Sequence, residues 1–415
     1  MVRPTRPLVH RRADGFTIVA ERMPVEAVTF DLWASIGSRV EPDPINGVAH
    51  FLEHMIFKGS ASLRPGEFEQ RVEACGAITN AATSQDYTHY FFTAAPADFA
   101  DLVPLQLEVA LQPSLPEAEF ERERRVVLEE IRRADDNPQR RAYQWMVEQL
   151  LDELPYRRPV LGPSEAIARL ELERMRQFHR HWYRPEHLTA VVVGNLPEEQ
   201  MIATVERHLP SWDTGNAPGL PSLEPEAPLT GIRRRRQQDP TLQEARLYLS
   251  WRVPGLDRLE ETDALDVLAS VLGSGRSSRL VQDLREERGW VTGISASNSV
   301  FAAQGLFTIA VRLPVERLEV VEAAILDHLR RLQESPVRPE ELARVRTQVA
   351  NRFIFGNERP ADRASLYGYY QTLLGDLDPA FGYPERVRSL SPEQVRQAAA
   401  RYLPTDAYAA LVITP

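Results

Sequence analysis

The second half of this 415-residue chain repeats the order of the first, and that repetition limits the available folds more than any other feature. In the first half, alternating apolar stretches at 16–20 and 27–33 read as strands. A helical pattern over 47–59 follows, then a helix over 65–74 and a strand pair at 77–83 and 88–94. Helical patterns at 97–111, 116–135, 142–151, 163–170 and 171–182 lead to an apolar strand at 189–193. Segments 246–251, 263–272, 290–300, 305–311, 316–332, 339–355 and 407–413 then answer these in order, with helices at 360–374 and 392–402. Two copies of one α+β unit are expected, each an antiparallel sheet with helices packed on one face. The division is 1–212, a Pro- and Gly-bearing linker at 213–239, and 240–415.

The 47–59 helix is apolar at 48, 51, 52, 55 and 56 and stops at Gly59, a residue suited to a helix end. Into that background the sequence sets His50, Glu53 and His54. Residues i and i+4 share a helix face about 6 Å apart along the axis, at roughly 1.5 Å per residue. Two imidazoles so placed can grip one ion, usually Zn²⁺. Glu53 lies on the same side, where a carboxylate can take a proton from an attacking water. Ionisable groups on so apolar a helix need a reason to be there, because unpaired buried charge is costly.

A catalytic zinc takes three protein ligands and keeps one position open. The 116–135 helix supplies the candidate: Phe120, Val127, Ile131 and Ala134 make its apolar face, and Glu123 and Glu130 fall on it. Glu129 points instead with Arg122, Arg125 and Arg133 toward solvent. Glu130 is therefore assigned as ligand, and Glu123 as an acid that orients a ligand or the water. The second copy lacks this equipment: around 264–270 only Asp266 is ionisable. One repeat is fitted for chemistry, the other keeps the scaffold.

Composition narrows the rest. A charged fraction of 26% and a net charge of -10 argue against nucleic acid as partner. The run Arg233 to Arg236 then reads as a solvated stretch leading to the next strand. Of the 49 basic residues only Lys58 is lysine, which reads as compositional bias because the arginines are dispersed. The lone Cys75 rules out an internal disulfide. No run approaches the ~20 apolar residues of a membrane span, and no apolar stretch follows the basic start, so the cytoplasm is the expected compartment.

With His50-Phe51-Leu52-Glu53-His54, the 123–131 segment and Leu272-Gly273-Ser274-Gly275-Arg276 in view, the chain resembles the pitrilysin/insulinase/mitochondrial processing peptidase family in its form of about 400 residues. The resemblance implies a zinc endopeptidase with His50, His54 and Glu130 as ligands and Glu53 as general base. It implies an edge strand at 76–83 to which a substrate peptide is added, with Asn80 and Ala81 beside the scissile bond. Complete enzymes of the family also carry an Arg and a Tyr seven residues apart. The stretch 305–314 offers Phe307 and Pro314 instead, and Arg363 and Tyr370 have that separation only on a helix. The expected partner is therefore a related, motif-poor subunit supplying that pair, closing a peptide chamber; a homodimer is the other possibility. The rival function is a non-catalytic assembly or peptide-binding subunit that kept the fold.

Overall fold

The computed structural model describes residues 6–212 and 217–415, so positions 213–216 of the expected linker lie outside the described residues. In chain order the first repeat runs β1 (Leu8–Arg11), β2 (Thr17–Arg22), β3 (Val28–Ala34), α1 (Val48–Ile56), α2 (Glu67–Ala74), β4 (Ile78–Thr83), β5 (Thr88–Ala94), α3 (Phe99–Leu111), α4 (Glu117–Asp136), α5 (Pro138–Leu150), α6 (Ser164–Arg169), α7 (Leu172–Trp182), β6 (Leu188–Gly194) and α8 (Glu198–His208). The second runs β7 (Arg233–Gln238), β8 (Ala245–Val253), α9 (Leu259–Gly273), β9 (Gly293–Val300), β10 (Gly305–Leu313), α10 (Leu318–Glu334), α11 (Pro339–Phe355), α12 (Pro360–Leu374), α13 (Asp378–Ser389), α14 (Pro392–Tyr402) and β11 (Ala409–Thr414).

Two sheets result, ordered β1-β2-β6-β3-β5-β4 and β7-β11-β8-β10-β9. Without β1 the first has the topology of the second, which is the duplication made visible. Each sheet is antiparallel except for one parallel pair, β2 with β6 and β7 with β11. The edge strands β4 and β9 occupy equivalent places.

The chain forms two compact units, and neither is one continuous segment. One comprises the described residues of Met1–Arg133, Arg158–Pro221 and Gly356–Ala380; the other comprises Ala134–Arg157, the described residues of Ser222–Phe355, and Phe381–Pro415. A cut at 212 and 240 follows the order of the repeats along the chain, whereas the packing exchanges one segment each way. Hydrophobic period reveals that a helix buries a face but not which sheet receives it, so the exchange has no sequence signal.

In the first unit, Phe30, Leu32, Phe51, Leu52, Phe92 and Val127 share one core on the α1 side of the sheet. The opposite face is also covered, by α12. A Cβ at Gly368 would lie 2.1 Å from Trp33 Nε1, so glycine lets this helix rest on the indole. Glu21 of β2, almost fully buried, accepts bonds from Arg363 Nη1 at 2.7 Å and Tyr367 OH at 2.8 Å. That pins α12 to the sheet and places Arg363 in a structural ion pair. In the second unit α5 plays the matching part, packing Met146 and Leu150 in one cluster with Leu411 and Ile413.

The basic run forms β7 rather than a connection. Its arginines pair in turn with Asp152 (2.7 Å), Glu322 (2.6 Å) and Glu148 (3.2 Å). Charge on both faces replaces the apolar alternation by which strands are recognised.

Candidate metal centre

Helix α1 starts at a fixed point. Gly47 precedes it with φ 96°, and a Cβ there would meet Leu161 O at 2.5 Å. The Glu41 carboxylate caps the first turn, accepting from Gly47 N (2.8 Å), Ala49 N (2.7 Å) and Asn46 Nδ2 (2.7 Å). Burial pushes the Glu41 carboxyl up to about 7 against the pull of those donors. Val48, Ala49, Phe51, Leu52, Met55 and Ile56 go into the core, leaving His50, Glu53 and His54 at its margin.

Helix α4 packs against α1 through a stacked pair, Phe51 on Phe120, with centroids 4.8 Å apart and planes 11° from parallel. Glu123 is buried with Phe120, Val127 and Ile131, as its place on the apolar stripe predicts. Two turns on, Glu130 reaches the histidines. Its Oε2 lies 3.4 Å from His54 Nε2 and 3.7 Å from His50 Nε2. Glu129 turns away to Arg132 and Arg133, whose hydrogen bonds draw its carboxyl down to about 2.

Ligand atoms of His50, His54 and Glu130 all lie within 4.8 Å of one another, the one such group among the described residues. Three donors about 2.1 Å from one ion at tetrahedral angles stand roughly 3.4 Å apart, so the spacing fits. The donors also fit: two imidazoles and one carboxylate suit zinc better than calcium or magnesium, which favour oxygen ligands.

Around this group stand Glu53, Thr83, Glu123 and Lys58. Glu53 Oε2 accepts from Thr83 Oγ1 of β4 at 2.5 Å, and burial raises the Glu53 carboxyl against that bond and the nearby histidines. Glu123 Oε2 lies 3.4 Å from His54 Nδ1, and its Oε1 lies 3.1 Å from Lys58 Nζ. Strand β4 is hydrogen-bonded to β5 along one edge only. Asn80 is exposed on it, and its Oδ1 accepts the Ala81 amide at 2.9 Å.

The comparisons with known proteins bear on this geometry. Two family models match in succession: "Insulinase (Peptidase family M16)" over residues 17–164 and "Peptidase M16 inactive domain" over 169–349. This chain belongs to peptidase family M16. Among its relatives, an uncharacterized zinc protease of Streptomyces coelicolor is 28% identical, covering 93% of this chain and 84% of the relative. Another, of Bacillus subtilis, is 28% identical and covers 97% of each. A protease from Helicobacter pylori superposes on this M16 chain with TM-score 0.92 at 25% identity, covering 99% of this chain and 100% of that one. An M16 inactive domain from Pseudomonas fluorescens shares the fold, with TM-score 0.89 at 20% identity over 99% and 98% of the two chains. Every residue of the expected site lies in the part matched by the insulinase model.

Several other histidines, and Phe307 of the 305–314 stretch, lie outside this group. His89 of β5 sits 2.9 Å from Asp31 with its ring against Trp33. His179 bonds the Ala110 carbonyl and is held near 4 by burial, and His187 bonds the Pro218 carbonyl. Phe307 is fully buried in the second core. Sequence reading missed Glu41, Thr83 and Lys58 as companions of the site. The first two reach it across loops that no period predicts, while Lys58 had a signal in its rarity. No helix among the described residues is long and apolar enough to cross a membrane.

Proposed function

We propose that this M16 chain is a zinc-dependent endopeptidase in which His50, His54 and Glu130 hold the ion and Glu53 is the general base. The observation that carries this is the convergence of Glu130 from α4 on two α1 histidines, at 3.4 and 3.7 Å. The description of its Streptomyces and Bacillus relatives as uncharacterized zinc proteases agrees with it. Zinc, when bound, polarises the scissile carbonyl and acidifies the attacking water. Glu53 takes that water's proton and returns it to the leaving amine, with Thr83 fixing its carboxylate. The open edge of β4, where Asn80 and Ala81 lie beside Glu53's partner Thr83, receives the peptide as an added strand. Glu123 orients His54 through Nδ1.

The rival, a peptide-binding subunit without catalysis, is disfavoured because the full donor set and the base are present together. The chamber reading pairs this chain with a related subunit carrying the Arg and Tyr, since Arg363 is engaged with Glu21. Zinc content and cleavage of a quenched peptide, with and without a chelator, test the activity. A Glu53→Gln chain should keep its zinc and lose about 10²–10⁴-fold in turnover. Retained turnover would overturn Glu53 as base, and no stoichiometric zinc in the wild type would overturn the enzyme.

A further inference from the structure

Forty-eight of the 49 basic residues are arginine, and the single lysine is one step removed from a proposed metal ligand. Lys58 follows α1 and sets its ammonium 3.1 Å from Glu123 Oε1, while Glu123 Oε2 faces His54 Nδ1 at 3.4 Å. The Glu123 side chain is 8% exposed, and a carboxylate so buried needs a cation. His54 cannot supply it while its Nε2 lone pair is turned to a metal, because the ring is then neutral with its proton on Nδ1.

We infer that Lys58 is a positioning residue for the metal centre, and that the position requires lysine rather than arginine. An ammonium is a point donor; it takes one oxygen of Glu123 and leaves the other for the His54 Nδ1–H. A guanidinium is a fork. Arg233 takes both oxygens of Asp152 (2.7 and 2.8 Å), Arg234 both of Glu322 (2.9 and 2.6 Å), and Arg279 both of Glu341 (2.9 and 2.8 Å). The same fork at position 58 would claim Oε1 and Oε2 together and release the imidazole from its orienting partner. A sequence that uses arginine for every other cation therefore keeps lysine where two-oxygen recognition would be harmful. The inference rests on the zinc reading only for what lies on the far side of the His54 ring.

The test uses full-length wild type, K58R, K58M and H54A, with zinc affinity measured by chelator competition. The absorption spectrum of the cobalt-loaded protein and the melting of the metal-free chain are measured in parallel. K58R and K58M should bind zinc about 10–100-fold more weakly, with altered cobalt bands; metal-free K58R should melt close to wild type, and metal-free K58M, which leaves Glu123 without its ammonium, lower. In a C75S background, K58C alkylated with 2-bromoethylamine restores a lysine-like ammonium and should recover the affinity. K58R binding as tightly as wild type overturns the inference alone, as does an alkylated K58C chain no tighter than K58M. Wild type binding no tighter than H54A removes the zinc reading and this inference with it.

Discussion

In each repeat a helix carboxylate accepts a hydrogen bond from the neighbouring edge strand: Glu53 from Thr83, and Asp266 from Asn298 at 2.8 Å. Asp266 also accepts from Tyr383 OH at 2.8 Å, and burial pushes its carboxyl up to about 6. The folded group keeps its proton to about pH 6, while the unfolded one releases it near 3.8. Its contribution is therefore fully favourable below 3.8 and declines as pH rises to 6. Asp266→Asn should flatten that part of the profile, so that denaturant unfolding at pH 4 and pH 6 differs less than in wild type. An unchanged difference would count against a protonated Asp266. At this scale the grouping of side chains was legible where ionisable residues interrupt an apolar stripe, as at His50, His54, Glu123 and Glu130. It was illegible where a partner arrives from another element, as Thr83 and Glu41 do. Lys58 stands out in the sequence only by its rarity, which does not reveal the neighbour that explains it.

At the scale of elements, the His50–His54–Glu130 group exists because two helices meet in one register. The Phe51–Phe120 stack holds that register, and Phe120 is 1% exposed. Phe120→Ala should cost about 3–5 kcal/mol in unfolding free energy and weaken zinc binding, although Phe120 touches none of the donors. Calorimetry and chelator competition measure the two effects; loss of stability with unchanged affinity would show that the register is held elsewhere. Helices with regular apolar spacing, such as α4 and α7, were readable to within a residue or two. Strand β7 was not, since its arginines carry no alternation and pair on both faces. Helix α13 was passed over because Pro384 lies inside it, and α8 although Met201, Ile202 and Val205 carry its apolar face.

For the whole molecule, the duplication predicted two homologous α+β domains, and the two sheets have the same strand order apart from β1. What the repeat could not reveal is the exchange of α5 and α12, because period and composition are local properties. A fragment ending at residue 239 should consequently be unstable. It would expose the Trp33 face and strip Glu21 of its partners Arg363 and Tyr367. Soluble yield and thermal melting of that fragment, with and without a co-expressed 356–380 segment, check this; a cooperative melt of the fragment alone would refute it.

The borrowed helix also sets an order of events during synthesis. Residues 356–380 cover the face of the first sheet opposite α1, yet they emerge from the ribosome only after residues 222–355 of the other unit have been made. The first unit must therefore wait, unfinished, while residues 222–355 are made, and a site assembled in this way cannot be competent before residue 380 has been synthesised.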